Sequence, residues 1–256
     1  MIKLSNRLKS IADKTFGARK IADIGTDHGK LPIYLLKENL VNKAILCDIN
    51  SGPLDIALEN IKKHDLEASN YEIRKGNGLE PIFENEVDCV VIAGMGGILI
   101  SEIIGANLEK SRSIKKFILQ PRNFENLLRK WLTENDFYIA DEELVSERKF
   151  ICQIITLDMN QSYYDSKSSI SKLQFGLKLI ENIELWQYEV SPILFQKKDI
   201  LLPEFIKRKI SIEKKIMKEF SKSKEVSSQI LIEKSIRRIE ILEDLKILAI
   251  SIITED

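Results

Sequence analysis

Residues 23–29 read Asp-Ile-Gly-Thr-Asp-His-Gly, a short apolar run that closes on two glycines and two carboxylates. Glycines at the C-terminal end of a strand let backbone approach a ligand closely, and a helix opening directly afterwards aims its N–H groups at that ligand. A dinucleotide fingerprint would space its glycines G-x-G-x-x-G, whereas Gly25 and Gly29 stand four apart with Asp23 two residues upstream. Asp27 puts a negative charge where a pyrophosphate would have to sit, and like charges repel. The chemistry favoured by these residues is the binding of a cation.

A sulfonium carrying an ammonium group, as in S-adenosylmethionine, is such a ligand, with Asp23 and Asp27 facing its amino-acid end. Asp48, in Cys47-Asp48-Ile49-Asn50, stands 25 residues after Asp23 at the tip of the next strand, placed to accept both ribose hydroxyls. Gly76-Asn77-Gly78-Leu79 ends the third unit, where Asn77 can meet the adenine amine and Leu79 can cover the ring. Ala93-Gly94-Met95-Gly96-Gly97 follows a fourth apolar run, and its glycines leave room for a flat group beside the cofactor, or for tight helix packing. Gln120-Pro121-Arg122-Asn123 ends a fifth, with two amides and a guanidinium on one rim and Asn123 also suited to cap a helix.

Positioning these tips requires a layered scaffold. Seven strands are expected at 20–25, 44–49, 71–75, 87–94, 116–120, 137–145 and 149–159, with helical periodicity such as 53–66 and 124–135 between the first five. Crossovers of that length give parallel pairing, while the last two runs are too close together for anything but an antiparallel hairpin. The expected fold is α/β, a Rossmann-like doubly wound seven-stranded sheet with an antiparallel last strand, occupying 1–160. Residues 160–169 read as a polar linker. Beyond it, 161–256 should form an all-helical, coiled-coil-like domain, with stripes Ile206, Ile210, Met217, Phe220 and Ile232, Ile236, Ile239, Leu242, Leu245 packing as an antiparallel pair about a turn at 221–229.

The whole chain has 256 residues and carries 39 basic and 39 acidic side chains. That neutrality, at face value, argues against a polyanionic partner. Resolved along the chain it is 22 basic against 24 acidic in 1–160, 17 against 15 in 161–256, and ten against four in 197–224. The ten are Lys197, Lys198, Lys207, Arg208, Lys209, Lys214, Lys215, Lys218, Lys222 and Lys224, either a grip for phosphates or a solvated helix face. Cys47, Cys89 and Cys152 each lie in an apolar run and read as buried free thiols. With only His28 and His64 besides, there is little material for a metal cluster or a serine-type triad, and no metal is expected. No apolar run reaches membrane-spanning length and the first residues are amphipathic, so a cytoplasmic location and no membrane partner are expected.

Taken together, DIGTDHGKLPIYL (23–35), LCDIN (46–50), GNGLEP (76–81), VIAGMGGILI (91–100) and LQPRN (119–123), followed by a helical tail, resemble the bacterial tRNA (adenine-22-N1)-methyltransferase family. The resemblance implies a class I methyltransferase fold, S-adenosylmethionine as methyl donor, N1 of an adenine in the D-loop region of tRNA as acceptor, and a C-terminal domain that helps hold the tRNA. It places the cofactor on Asp23, Gly25, Thr26, Asp27, His28, Gly29, Asp48, Ile49, Asn50, Asn77, Gly78, Leu79, Ala93, Gly94, Met95 and Gly96. Asp27 or Gln120 would accept the adenine N6 amine as catalytic residues. Gly97, Pro121, Arg122 and Asn123 would line the acceptor pocket, with Lys3 and Arg7 of the N-terminal helix and Lys207, Arg208, Lys214 and Lys215 on phosphates. A monomer is expected. Another RNA, a small-molecule acceptor under a lid, or a non-catalytic cofactor-binding adaptor remain as alternatives on the residues alone.

Overall fold

The computed structural model describes residues 2–159, 188–222 and 226–254; the expected linker at 160–169 and Lys224 lie outside them. The chain divides into two compact units, Met1–Ser166 and Lys167–Asp256.

In the first unit, α1 (Asn6–Lys14) precedes β1 (Lys20–Ile24), α2 (Lys30–Lys37), β2 (Lys43–Asp48), α3 (Ser51–Lys63) and β3 (Tyr71–Lys75). Then come β4 (Cys89–Met95), α4 (Gly97–Gly105), α5 (Leu108–Ser113), β5 (Lys116–Pro121), α6 (Glu125–Glu134), β6 (Ile139–Glu147) and β7 (Phe150–Asp158). The seven strands run in the order β3-β2-β1-β4-β5-β7-β6. All neighbouring pairs are parallel except β5–β7 and β6–β7, so β7 alone is reversed and slides between β5 and β6. Central strands are buried on both faces, which is why β2 and β4 read as continuous apolar runs rather than alternating ones.

Two apolar layers flank this sheet. Ile24, Ile45, Val90, Ile92, Phe117, Leu119 and Ile155 pack against α4, α5 and α6. Ile21, Leu46, Val91, Ile118 and Ile154 pack under α1, α2 and α3. Strand order reverses between β1 and β4, and the crevice outside their C-terminal ends is where ligands bind in open sheets of this kind. Across β6, β7 and α6, Arg129 and Glu142 form a buried ion pair (Nε–Oε1 3.0 Å, Nη2–Oε2 3.1 Å). The helix α1 is stitched to the final hairpin: Asn6 Nδ2 donates to Ser146 O, the Arg7 N–H to Glu147, Ser10 Oγ to Glu143, and Lys14 pairs with Asp141 and Glu143.

The second unit holds, among its described residues, α7 (Pro192–Gln196), α8 (Leu202–Phe220) and α9 (Val226–Thr254). Helices of this length with five residues between them pack antiparallel. On α8 the expected stripe is present in Ile206 and Ile210, both buried, with Met217 and Phe220 half-buried. On α9 the stripe is different from the one expected. Leu242 and Leu245 are buried, but Ile236 is 44% exposed and Ile232 and Ile239 are half-buried, while Ser228, Ser235 and Ala249 take the inner positions. The buried residues 228, 235, 242 and 249 recur at seven, and the reason serine wins one of them is polar. Ser235 Oγ donates to Glu213 Oε1 at 2.8 Å, while Arg238 joins Glu213 to Glu189, each at 2.8 Å. Isoleucines stand on every side of α9, so apolarity alone did not mark its inner face.

Candidate functional site

The Asp23 carboxyl, at the end of β1, is 8% exposed and receives the Thr26 hydroxyl at 2.7 Å. Burial pushes its pKa up to about 6 from 3.8; the Thr26 hydrogen bond and the Arg7 charge oppose that rise, and Asp27 and Asp48 add to it. A carboxylate held this far from water wants a cation. The turn that follows is shaped by positive φ at Gly25 (74°), His28 (59°) and Gly29 (66°), the last of which starts α2. At Gly25 a Cβ would fall 2.1 Å from the Met95 methyl, and at Gly29 it would meet Leu46 and Ala57 at 3.1 and 3.2 Å. The positive φ calls for glycine at both positions, and at Gly29 the packing against Leu46 and Ala57 adds to it.

Asp27 stands at the lip, its side chain 88% exposed, with His28 Nε2 3.0 Å from its Oδ1. Asp48 closes β2 half-buried, and its Oδ1 accepts the Asn50 N–H at 2.8 Å, which fixes the carboxylate at the strand tip. Ile49 beside it is 57% exposed. Asn77 is exposed and Gly78 (φ 53°) lies against Ile103. A pocket of about 340 Å³ opens between Asn77 and Gly78 on one side and Leu99, Glu102, Ile103 and Lys110 on the other. Leu79 was expected to cover a ring. It is instead 5% exposed within the apolar layer beneath, forming the floor of that pocket.

Of the three glycines at the end of β4, Gly97 takes the tight-packing reading, while Gly94 and Gly96 meet only the ends of side chains. Gly94 (φ 80°) lies under the Arg122 guanidinium, with a Cβ 3.6 Å from Nε and Nη2. A Cβ on Gly96 would meet Asn123 Oδ1 at 3.1 Å, and one on Gly97 would sit 2.4 Å from the Phe124 carbonyl oxygen. Backbone bonds Gly97 N–H to Asn123 O (2.9 Å) and Arg122 N–H to Met95 O (2.8 Å) lock the two loops together. Gly97 thus packs against backbone rather than substrate. Pro121 is buried, whereas Arg122 and Asn123 are exposed at the rim. Asn123 does not cap α6; Phe124 occupies that position, in the left-handed region and with no side-chain cap.

Gln120 gains a role and Arg7 changes its own. Gln120 is 3% exposed and both ends of its amide are engaged, Oε1 by Arg7 Nη1 at 2.8 Å and Nε2 on Pro121 O at 2.7 Å. It holds Arg7, which gives it a positioning role beside the one expected. Arg7 was expected on an outer phosphate-binding face; its guanidinium instead points inward, where its charge acts on Asp23. The signal was present in the helix period, since Arg7 stands four residues before the buried Ile11. Lys3 remains exposed.

Half of the ten basic residues of 197–224 meet a carboxylate, and Glu189 and Glu243 from outside the stretch offset part of its excess. Lys207 and Arg208 meet Glu204 (3.6 and 3.1 Å), Lys214 meets Glu243 (3.5 Å) and Lys222 meets Glu219 (2.8 Å). Lys209 is buried, 3.8 Å from Glu189 and over the Phe205 ring. Lys215 and Lys218 are exposed. The thiols are free, Cys47 and Cys89 buried with pKa pushed up to about 12 by burial, and Cys152 half-buried. Among the described residues no cluster suited to a metal occurs, and no helix is long and apolar enough to cross a membrane.

A doubly wound sheet with a buried carboxylate at the first strand tip, a second at the next, and glycine-bound loops around the switch point defines a cofactor-binding α/β domain of the methyltransferase type. Residues 4–155 match the methyltransferase-domain family model, and the chain belongs to that family. It is 36% identical over 146 residues to the tRNA (adenine(22)-N(1))-methyltransferase of Bacillus subtilis, a match covering 57% of this chain and 61% of that relative's length. The crystal structure of the B. subtilis m1A22 tRNA methyltransferase superposes with a TM-score of 0.79 at 26% identity, covering 96% of this chain and all of that one. A Streptococcus pneumoniae protein in complex with S-adenosyl-L-methionine superposes with a TM-score of 0.73 at 26% identity, covering 95% of this chain and 100% of that one.

Proposed function

We propose that the protein transfers a methyl group from S-adenosylmethionine to N1 of an adenine in tRNA, at position 22, as the name of its B. subtilis relative states for that protein. The observation that carries the reading is the opposition of Asp23 and Arg7 at the tip of β1. The cofactor's amino-acid end is a zwitterion beside a sulfonium: the buried Asp23 carboxylate takes the ammonium, and Arg7, held by Gln120, takes the carboxylate. Asp48 accepts the ribose hydroxyls, Ile49 covers one face of the adenine, and Asn77 and Gly78 meet its edge at the mouth of the 340 Å³ pocket.

Adenine N1 carries an unprotonated lone pair at neutral pH, so no base is needed to make the nucleophile. The N1 pair forms the new N–C bond as the S–C bond breaks, leaving a neutral thioether and a positive charge on the purine, which the methylated base keeps at neutral pH. The work left to the protein is alignment, a term that reaches about 7–11 kcal/mol, and acceptors for the growing charge. Asp27, exposed at the lip, accepts the N6 amine and sets which ring nitrogen faces the methyl group. N1 lies on the Watson–Crick edge, so the base must leave its stack. In this reading 1–160 is the catalytic domain and 161–256 a coiled-coil-like, tRNA-contacting arm using Lys215 together with Lys207, Arg208 and Lys214, the last three in exposed ion pairs weak enough to exchange for phosphates. The protein acts as a monomer in the cytoplasm.

Incubating the chain with labelled cofactor and tRNA, then digesting the RNA to nucleosides, tests the proposal. Label in 1-methyladenosine is the expected result; label only in small metabolites, or none, overturns it.

A further inference from the structure

The start of α6 is built against the usual preferences for a helix start. A helix N-terminus favours Ser, Thr, Asp or Asn as its cap, and Asn123 stands one residue away. Asn123 nonetheless has its Oδ1 against Gly96, and the cap position falls to Phe124 at φ 53° and ψ 32° with no side-chain hydrogen bond. A bulky residue in the left-handed region is a true outlier, held only where the surroundings dictate it. Here they do: the Phe124 carbonyl fills the space a side chain on Gly97 would need, and Asn123 O receives the Gly97 N–H.

What this unfavourable start achieves is a displayed ring. Phe124 is 49% exposed, next to the exposed Arg122 and Asn123 at the rim where β4 and β5 end. In the loops directly following β1, β2, β4 and β5 it is the one phenyl, phenol or indole ring. Phe83, in the loop after β3, is occupied over the Arg74 guanidinium at 5.4 Å. Local rules broken without a packing gain mark functional positions. An extruded base needs a flat apolar partner to replace the stack it leaves.

We propose that Phe124 is the platform on which the target adenine stacks after leaving the RNA helix, and so is a substrate-binding residue at the acceptor side of the site. The inference rests on the proposed methylation of an adenine at N1 and adds the group that receives the base. Its strained backbone holds the ring in place before RNA arrives, which lowers the ordering needed on binding.

The test uses the full chain, a tRNA with its natural adenine, and a second tRNA with 2-aminopurine at the target position, whose fluorescence rises on unstacking. F124G relieves the backbone strain, F124A removes the ring, and F124W keeps a flat face. F124G and F124A are expected to bind cofactor as wild type does. Their kcat/KM for tRNA should fall about 5- to 150-fold, the range of one base–ring stack, and the fluorescence change should alter with it, while F124W retains most activity. F124G is expected to unfold no earlier than wild type. Wild-type turnover in both F124G and F124A overturns the inference while leaving the proposed reaction standing. A loss matched by lower stability and weaker cofactor binding overturns it too, since that is a structural role. A wild-type chain that leaves tRNA unmethylated overturns the proposed function itself, and the stacking role with it.

Discussion

Two buried carboxylates, one in each unit, show how the same group can serve structure or site. Glu213, between α8 and α9, has each oxygen answered, one by Ser235 and the other by Arg238, whose guanidinium also reaches Glu189. Asp23, at the tip of β1, accepts one hydrogen bond among the described residues, from Thr26, and burial raises its pKa to about 6. Glu213 is satisfied within the protein and fixes the pairing of two helices. Asp23 is left short of positive charge, and a buried charge left short is a place for a ligand.

The sharpest way to break this contrast is Asp23→Asn. The amide keeps the shape and loses the charge, so cofactor affinity by calorimetry should fall by about 10- to 150-fold, the value of one hydrogen bond between charged partners. The unliganded fold should become more stable at neutral pH, by up to about 3 kcal/mol for a shift of this size. The sign follows from a carboxyl whose folded pKa is above its unfolded one: its ionised form destabilises the fold above pH 6, and the penalty is relieved as pH falls from 6 to 4. A variant that binds cofactor normally would remove Asp23 from the site. Glu213→Gln should do the reverse, lowering stability by roughly 1–3 kcal/mol in denaturant melts and leaving cofactor affinity unchanged.

A smaller effect separates charge from shape at Asp23. Wild-type affinity for cofactor should fall about fivefold between pH 6 and pH 5 as the carboxylate protonates, and Asp23→Asn should flatten that profile. The smallest concerns the helical unit. Lys215→Ala and Lys218→Ala should each reduce the salt slope of tRNA binding by about one unit, with little change in methylation at low salt.

Much of this was legible in the sequence, and the exceptions are instructive. The seven strands were readable because parallel strands buried on both faces leave dense β-branched runs, and the 138–158 hairpin because the gap between its strands is too short for a crossover. The strand-tip motifs were readable because glycine at positive φ and carboxylates beside it have few other uses. The direction of a side chain from a helix was harder. Arg7 read as an outward base because arginine is usually solvated, yet its position before Ile11 turns it inward. That Gln120 also holds Arg7 showed only once both ends of its amide were accounted for. Gly97 could be read as room for a ligand or as tight packing, and only the neighbouring loop decides for packing. On α9, isoleucine at every angle concealed that two serines face inward.

The bonds from α1 to the last hairpin carry a further implication for how the protein comes into being. Arg7 is held on Gln120 by a helix that Glu147, Ser146, Glu143 and Asp141 tie down, and those residues are made more than 130 positions later. During synthesis Arg7, the glycine turn and both carboxylates emerge early, but the hydrogen bonds that tie the helix carrying Arg7 to the hairpin cannot form until β6 and β7 leave the ribosome. The nascent chain is thus unable to fix Arg7 in its final place before the sheet is finished.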